Sequence, residues 1–315
     1  MSKSHGLKHK SVIITHGDVD GMVCAAQLIR RENSDCDLYF SNARYIKSKL
    51  QEICRYREYP EKLYITDIPL NNDAAAVVQQ LVKKGVKIFW IDHHPVLDKK
   101  IIARLKQVCD SVIYNEAMST PAGVLLGQWL AGEDPYFNRI GQICYAYEKG
   151  DAWERNWFRL LSAYLGKADT AVLERLAYNL EFTKEDLNTI EKQVETEKLS
   201  EDMLGKKPHT EQTKKGKTMA VYDTTKTLGI YLGHKVFNHH SVDYCLIRIL
   251  DRKWQIASNP TSGLTLRALL GKHNLDGIKI IVAGRPDELL AIELEGYKSS
   301  HDSHDKIIDW VKKLL

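Results

Sequence analysis

The chain has 315 residues, 43% of them apolar, enough to fill one large core or two ordinary ones, which excludes a disordered or fibrous polypeptide. Lysine and arginine total 45 against 41 acidic residues, so the net charge of +4 argues against a histone-like polyanion binder and leaves anion binding to local clusters. The six cysteines, Cys24, Cys36, Cys54, Cys109, Cys144 and Cys245, form no Cys-x-x-Cys pair and read as reduced core thiols.

Residues 11–15, SVIIT, are a β-branched run that ends in HGDVDG and leads into GMVCAAQLIRREN, whose apolar spacing is helical. That is strand, loop, helix, and the pattern recurs. CDLYFSNA reads as a strand and YIKSKLQEICRY as a helix; KLYITDI, DAAAVVQQLVKKG, VKIFWID and a helical segment from Lys99 to Cys109 follow. Such alternation predicts a doubly wound, mostly parallel sheet, and the unbroken apolar character of the strands fits burial on both faces. From Thr120 to Lys198 strand signals fade and PAGVLLGQWLAG, RIGQICYAYEKG and TAVLERLAYNL predict a helical extension.

Residues 184–217 are strongly charged and end in a basic, turn-rich segment, which predicts an exposed helix and then a linker. Beyond it TMAVYDT, VDYCLIRILD, KWQIASN, IKIIVAG and LLAIELEG read as strands. GIYLGHKVFNHH, GLTLRALLGKH and DSHDKIIDWVKKLL read as helices. The expected organisation is an α/β domain over 1–205, a linker over 206–217 and a smaller mixed α/β domain over 218–315. No stretch has signal-peptide character or a run of about eighteen apolar residues, so the expectation is a cytoplasmic protein with no membrane partner.

The acids and histidines fall at strand ends. His16, Asp18 and Asp20 follow the first strand, Asp67 follows YIT, and Asp92, His93 and His94 follow IFWI. In an open α/β sheet the carboxyl ends of the strands line the ligand crevice, so these distant residues are expected to converge. Carboxylates and imidazoles without thiolates suit manganese, magnesium, cobalt or zinc, with oxygen-rich ligation favouring the first two. Asp18 and Asp20 also stand where a helix cap would, directly before GMVCAAQLI.

These motifs resemble those of the DHH phosphoesterases. HGDVDG is similar to the family's first motif, Thr66-Asp67 to the second, Asp92-His93-His94 to the third, and YEKGDAW places Asp151 at the fourth. The resemblance implies two divalent metal ions, Mn2+ foremost with Mg2+ or Co2+ as alternatives. His16, Asp18 and Asp67 would bind one, and Asp20, Asp67, His93 and Asp151 the other. It further implies that His94 faces the substrate phosphate and that Asp92 orients a ligand histidine. Gly21 is expected to let the next helix start close to the metals.

The second domain resembles the family's substrate domain only in part. SGLTLRALLG carries Arg267 like the family's arginine segment and VAG is similar to its Ala-Gly, followed here by Arg285. LDGIKI, with Lys279, stands where glycines and a histidine belong. Arg267, Lys279 and Arg285 are the candidate substrate contacts, since guanidinium and ammonium groups suit phosphate oxygens.

The function implied is hydrolysis of phosphodiester or phosphomonoester bonds of short single-stranded nucleic acids or small nucleotides, through a water activated by two metals. An inorganic pyrophosphatase and a non-catalytic nucleic-acid-binding DHH relative are the alternatives. Oligomeric state is left open, a homodimer being compatible with the sequence.

Overall fold

The computed structural model describes residues 8–94, 99–115, 120–146, 149–165, 169–223, 235–237, 239–250, 253–259, 264, 266, 269, 274–275, 278–285, 289–295 and 302–315. Two compact units divide the chain, Met1–Glu191 and Lys192–Leu315. Among the described residues no helix is long and apolar enough to cross a membrane.

In the first unit β1 (Ser11–His16), β2 (Cys36–Ser41), β3 (Lys62–Thr66), β4 (Lys87–Asp92) and β5 (Ser111–Tyr114) form a parallel sheet in the order β2-β1-β3-β4-β5. Alternate side chains of a strand face opposite sides, and here both sides are covered. Ile13, Tyr64 and Ile91 are buried in one apolar cluster; Val12, Ile14, Leu63, Ile65, Ile88 and Trp90 are buried in the other. This is why the central strands read as unbroken apolar runs. The edge strands β2 and β5 are only half-buried.

Against the first face pack α1 (Val19–Arg31), α5 (Ala122–Leu130), α6 (Tyr136–Gln142), α7 (Ala152–Ala163) and α8 (Thr170–Ala177). The second face is covered by α2 (Ile46–Ile53), α3 (Asn72–Lys83) and α4 (Lys99–Val108). The doubly wound core and its helical extension are thus as expected. Strand β5 is an addition: four residues are too few to display a period.

The long helix α9 (Lys184–Leu204) runs across the boundary between the units. In the second unit β6 (His209–Gln212), β7 (Thr218–Asp223), β8 (Tyr244–Leu250), β9 (Lys253–Ser258), β10 (Asn274–Leu275), β11 (Ile278–Arg285) and β12 (Leu289–Glu295) form a mixed sheet in the order β10-β11-β12-β9-β8-β7-β6. Among the described strands of this sheet only β7 and β8 pair in parallel. The terminal helix α10 (Asp302–Leu314) contributes Ile307, Trp310 and Val311 to the core under Trp254 and Ile256. Residues 209–212, within the stretch expected as a linker, form β6 because they pair antiparallel with β7 across a turn at Gly216. The segments GIYLGHKVFNHH and GLTLRALLGKH fall largely outside the described residues.

Candidate metal centre

Strand order sets β1, β3 and β4 side by side, with the direction of winding reversing between β1 and β3. A crevice opens at the carboxyl ends of such strands, at the reversal. His16 ends β1, Asp67 directly follows β3 and Asp92 ends β4.

Helix α1 starts hard against the end of β1. A Cβ on Gly21 would stand 2.2 Å from the His16 carbonyl oxygen, so only glycine permits the approach. The Thr66 hydroxyl donates to that of Thr15 at 2.8 Å, and Thr15 donates to the Gly21 carbonyl at 2.8 Å, tying β3, β1 and α1 together. Asp18 is the N-cap of α1: the Gly21 amide donates to its Oδ1 at 3.0 Å. Its Oδ2 remains 2.9 Å from Nδ1 of His16. One oxygen of this carboxylate therefore caps the helix while the other faces His16.

Asp67 has φ of +56°, a left-handed backbone uncommon outside glycine. Its amide donates to the Ile91 carbonyl at 2.9 Å, which extends the β3–β4 pairing and holds the turn. The side chain is fully buried, yet neither carboxylate oxygen accepts a hydrogen bond. Oδ2 lies 3.8 Å from His16 Nδ1, and Oδ1 lies 3.4 Å from His93 Nε2. On that second side Asp20 Oδ2 is also 3.4 Å from His93 Nε2. Nδ1 of His94 is 3.7 Å from Asp67 Oδ1 and 2.8 Å from Asp92 Oδ1. The buried carboxylate of Asp92 thus holds the His94 ring, and the Tyr114 hydroxyl donates to the His94 carbonyl at 2.9 Å.

These spacings fit divalent cations. Two ligand atoms each about 2.1 Å from one ion, at angles of about 90–120°, stand about 3.0–3.6 Å apart. His16, Asp18 and Asp67 offer atoms within 4.8 Å of one another, as do Asp67, His93 and His94. A bare buried carboxylate with no donor on either oxygen is costly unless a positive charge reaches it. The thiols of Cys24 and Cys144 adjoin the cluster, but burial, then the charge of Asp20, pushes both far above the usual thiol range. They stay protonated, and the donor set is imidazole and carboxylate, suited to Mn2+, Mg2+, Co2+ or Zn2+.

Crowding dominates the electrostatics. Burial, then the charges of Asp18 and Asp20, pushes the Asp67 carboxyl well above the ordinary range. Burial and the Asp18 charge raise Asp20 against the pull of His93 and of the Gly123 and Ala122 amides. Burial works to raise Asp18 too, but its hydrogen bond with His16 and the imidazole charge hold it below the ordinary range. For His16, burial opposes protonation, and the hydrogen bond and charge of Asp18 overcome it and raise the pKa.

Asp151 stands apart from this group. It is exposed and is the N-cap of α7, accepting from the Glu154 amide at 2.9 Å in a reciprocal capping box. Among the described residues its carboxylate joins none of the clustered donor atoms. Arg267 lies outside the described residues; Lys279 and Arg285 lie on β11, their side chains outside them.

Sequence reasoning missed the support beneath Asp20. The Ala122 amide donates to Oδ2 at 2.9 Å, the Gly123 amide to Oδ1 at 2.7 Å and the Cys144 thiol to Oδ1 at 3.3 Å. The side-chain amide of buried Gln27 donates to the Gly123 and Phe137 carbonyls at 3.0 and 2.8 Å, clamping α1 to α5 and α6. One signal was available: helix α5 opens Pro-Ala-Gly, with no side chain of its own to cap it.

No family model matches the sequence, and no curated protein matches it. Solved structures do. The DHH domain of a member of the s1p family of ribosomal proteins matches with a TM-score of 0.60 at 12% identity, over 97% of this chain and 87% of that one. The chain has the DHH fold. RecJ from Thermus thermophilus, in complex with Mn2+, matches with a TM-score of 0.54 at 12% identity, over 96% of this chain and 51% of that one. CDC45 from Entamoeba histolytica matches with a TM-score of 0.51 at 9% identity, over 96% and 95%. Identities this low speak to the fold alone. In this chain His93 and His94, of the run Asp92-His93-His94, lie 3.4 and 3.7 Å from Asp67 Oδ1.

Proposed function

We propose that the chain is a divalent-metal-dependent phosphoesterase acting on short single-stranded nucleic acids or small nucleotides. One observation carries the reading: the buried Asp67 presents its two unpartnered oxygens to two different His–Asp pairs, His16 with Asp18 and His93 with Asp20. His16, Asp18 and Asp67 would hold one cation, and Asp20, Asp67 and His93 a second. Manganese is the first choice, in keeping with the donor set and with the Mn2+ of the Thermus RecJ. When bound, such a pair supplies positive charge to a phosphoryl oxygen and lowers the pKa of water.

The protein's own groups do the rest. Asp92 fixes the His94 ring through Nδ1, which leaves Nε2 to hydrogen-bond a phosphoryl oxygen. His16 and Asp18 are about two-fifths exposed on their side chains, whereas Asp67 and Asp92 are wholly buried, so a substrate meets the first pair at the rim. Arg267, Lys279 and Arg285 are proposed as phosphate contacts on their resemblance to the substrate domain of DHH phosphoesterases.

The test is hydrolysis of an adenosine bisphosphate, cyclic dinucleotides, short RNA, short DNA and pyrophosphate, with Mn2+ or with chelator. Cleavage of a nucleotide or oligonucleotide with Mn2+ alone is the expected result. Preferential release of phosphate from pyrophosphate would reassign the substrate, and single-strand binding without cleavage under any metal would replace the enzyme with a binding protein.

A further inference from the structure

Helix α5 has no capping side chain of its own, and the Asp20 carboxylate, reaching across from α1, takes that place. The way it does so separates its two oxygens. Oδ1 accepts from the Gly123 amide at 2.7 Å and from the Cys144 thiol at 3.3 Å, which fills both of its lone-pair directions. Oδ2 accepts from the Ala122 amide at 2.9 Å and is the oxygen 3.4 Å from His93 Nε2. Asp67 Oδ1, unpartnered and fully buried, stands at the same 3.4 Å from that imidazole nitrogen. Asp20 Oδ2 and Asp67 Oδ1 thus both face the same nitrogen, His93 Nε2.

The packing around Oδ1 admits no substitute. A Cβ on Gly123 would lie 2.6 Å from Val23 Cγ1, 2.9 Å from Cys144 Sγ and 3.1 Å from Asp20 Oδ1. The glycine lets the first turn of α5 and the thiol close on one carboxylate oxygen.

We infer that Cys144 is a positioning residue: together with the Gly123 amide it occupies Oδ1 of Asp20 and so restricts that aspartate to single-oxygen ligation through Oδ2. The inference rests on the metal reading above. It assigns the thiol to the His93–Asp20 side, and the His16–Asp18 side lies beyond its hydrogen bond.

The experiment titrates Mn2+ into the full-length wild type, Cys144→Ala, Cys144→Val and Cys144→Ser, following affinity by calorimetry and the bound ion by electron paramagnetic resonance. Cys144→Ala and Cys144→Val should weaken one of two Mn2+ equivalents by about tenfold and leave the other unchanged. Cys144→Ser, which keeps a hydrogen-bond donor, should bind within about threefold of wild type. Valine fills the space of the thiol at the cost of one added γ-carbon and leaves no cavity, so it carries the test if the alanine variant fails to fold.

Equal weakening of both equivalents, no weakening of either, or a serine variant no better than valine would overturn the assignment. Wild type that binds no Mn2+ would overturn it together with the metal reading. Wild type that binds two Mn2+ but hydrolyses nothing would overturn the proposed activity and leave the role of Cys144 to the variants.

Discussion

Asp67 Oδ1 stands 3.4 Å from His93 Nε2, while its other oxygen stands 3.8 Å from His16 Nδ1, and neither oxygen accepts a hydrogen bond. Buried there, the Asp67 carboxyl is crowded by the charges of Asp18 and Asp20, which add to the cost of ionising it. Under the proposed metal reading, cations held by Asp67 and the imidazoles would remove that penalty.

The substitution Asp67→Asn separates these effects. Removing the shared charge should cut metal-dependent activity by at least about a hundredfold and abolish tight Mn2+ binding. The melting temperature of the metal-free variant should instead rise above that of the wild type, because the crowding of three carboxylates is relieved. Thermal melts in chelator and Mn2+ titrations check both halves; a metal-free variant that melts lower would contradict the account.

Metal-free stability should fall with pH. The carboxyls of Asp67 and Asp20 are raised in the folded state, so their contribution is present below the unfolded value and is lost as pH rises. His16, also raised, acts the same way from its ordinary 6.5 upward. Asp18, lowered, acts oppositely, but only as pH drops below its ordinary 3.8. In chelator the melting temperature should therefore decline between about pH 5 and 8, and saturating Mn2+ should flatten or reverse the decline. A flat or rising metal-free profile would be the contrary result.

Asp92 and His94 should behave as one unit. With Asp92 Oδ1 at 2.8 Å from His94 Nδ1, Asp92→Asn and His94→Ala should each lower kcat by about 10–100-fold. The double variant should be little worse than His94→Ala alone, as for residues acting through a single contact. Additive losses in steady-state kinetics would show that Asp92 acts elsewhere.

Asp151→Asn should retain both the cap and the Mn2+ stoichiometry, since asparagine caps as well as aspartate and the carboxylate is exposed. Asp151→Ala should cost about 0.5–2 kcal/mol in denaturant unfolding through loss of the cap. Loss of one Mn2+ equivalent in the asparagine variant, at unchanged melting, would place Asp151 among the ligands.

Much of this was legible in the residues. Strands buried on both faces appear as SVIIT and VKIFWID, and the acids and histidines after them follow from the way parallel sheets expose their carboxyl ends. Gly21 could be anticipated before a helix that starts against a strand. The way Asp18 and Asp20 each cap a helix while turning an oxygen towards a histidine could not, because a capping aspartate and one that faces a site have the same signature in sequence. Cys144 reads as an ordinary core thiol, and its contact with Asp20, 124 positions away, exists only in three dimensions. Strands β5 and β6, of four residues each, are held by their neighbours rather than by any period of their own.

The most direct measurement is anomalous diffraction at the manganese edge from crystals of the full-length protein grown with Mn2+. Two peaks flanking the Asp67 carboxylate, one beside His16 and Asp18 and the other beside His93 and Asp20, about 3.5–4 Å apart, are the predicted result. No peak at Asp67, or a single ion that leaves His16 or His93 without a bond to it, would contradict the shared-carboxylate centre.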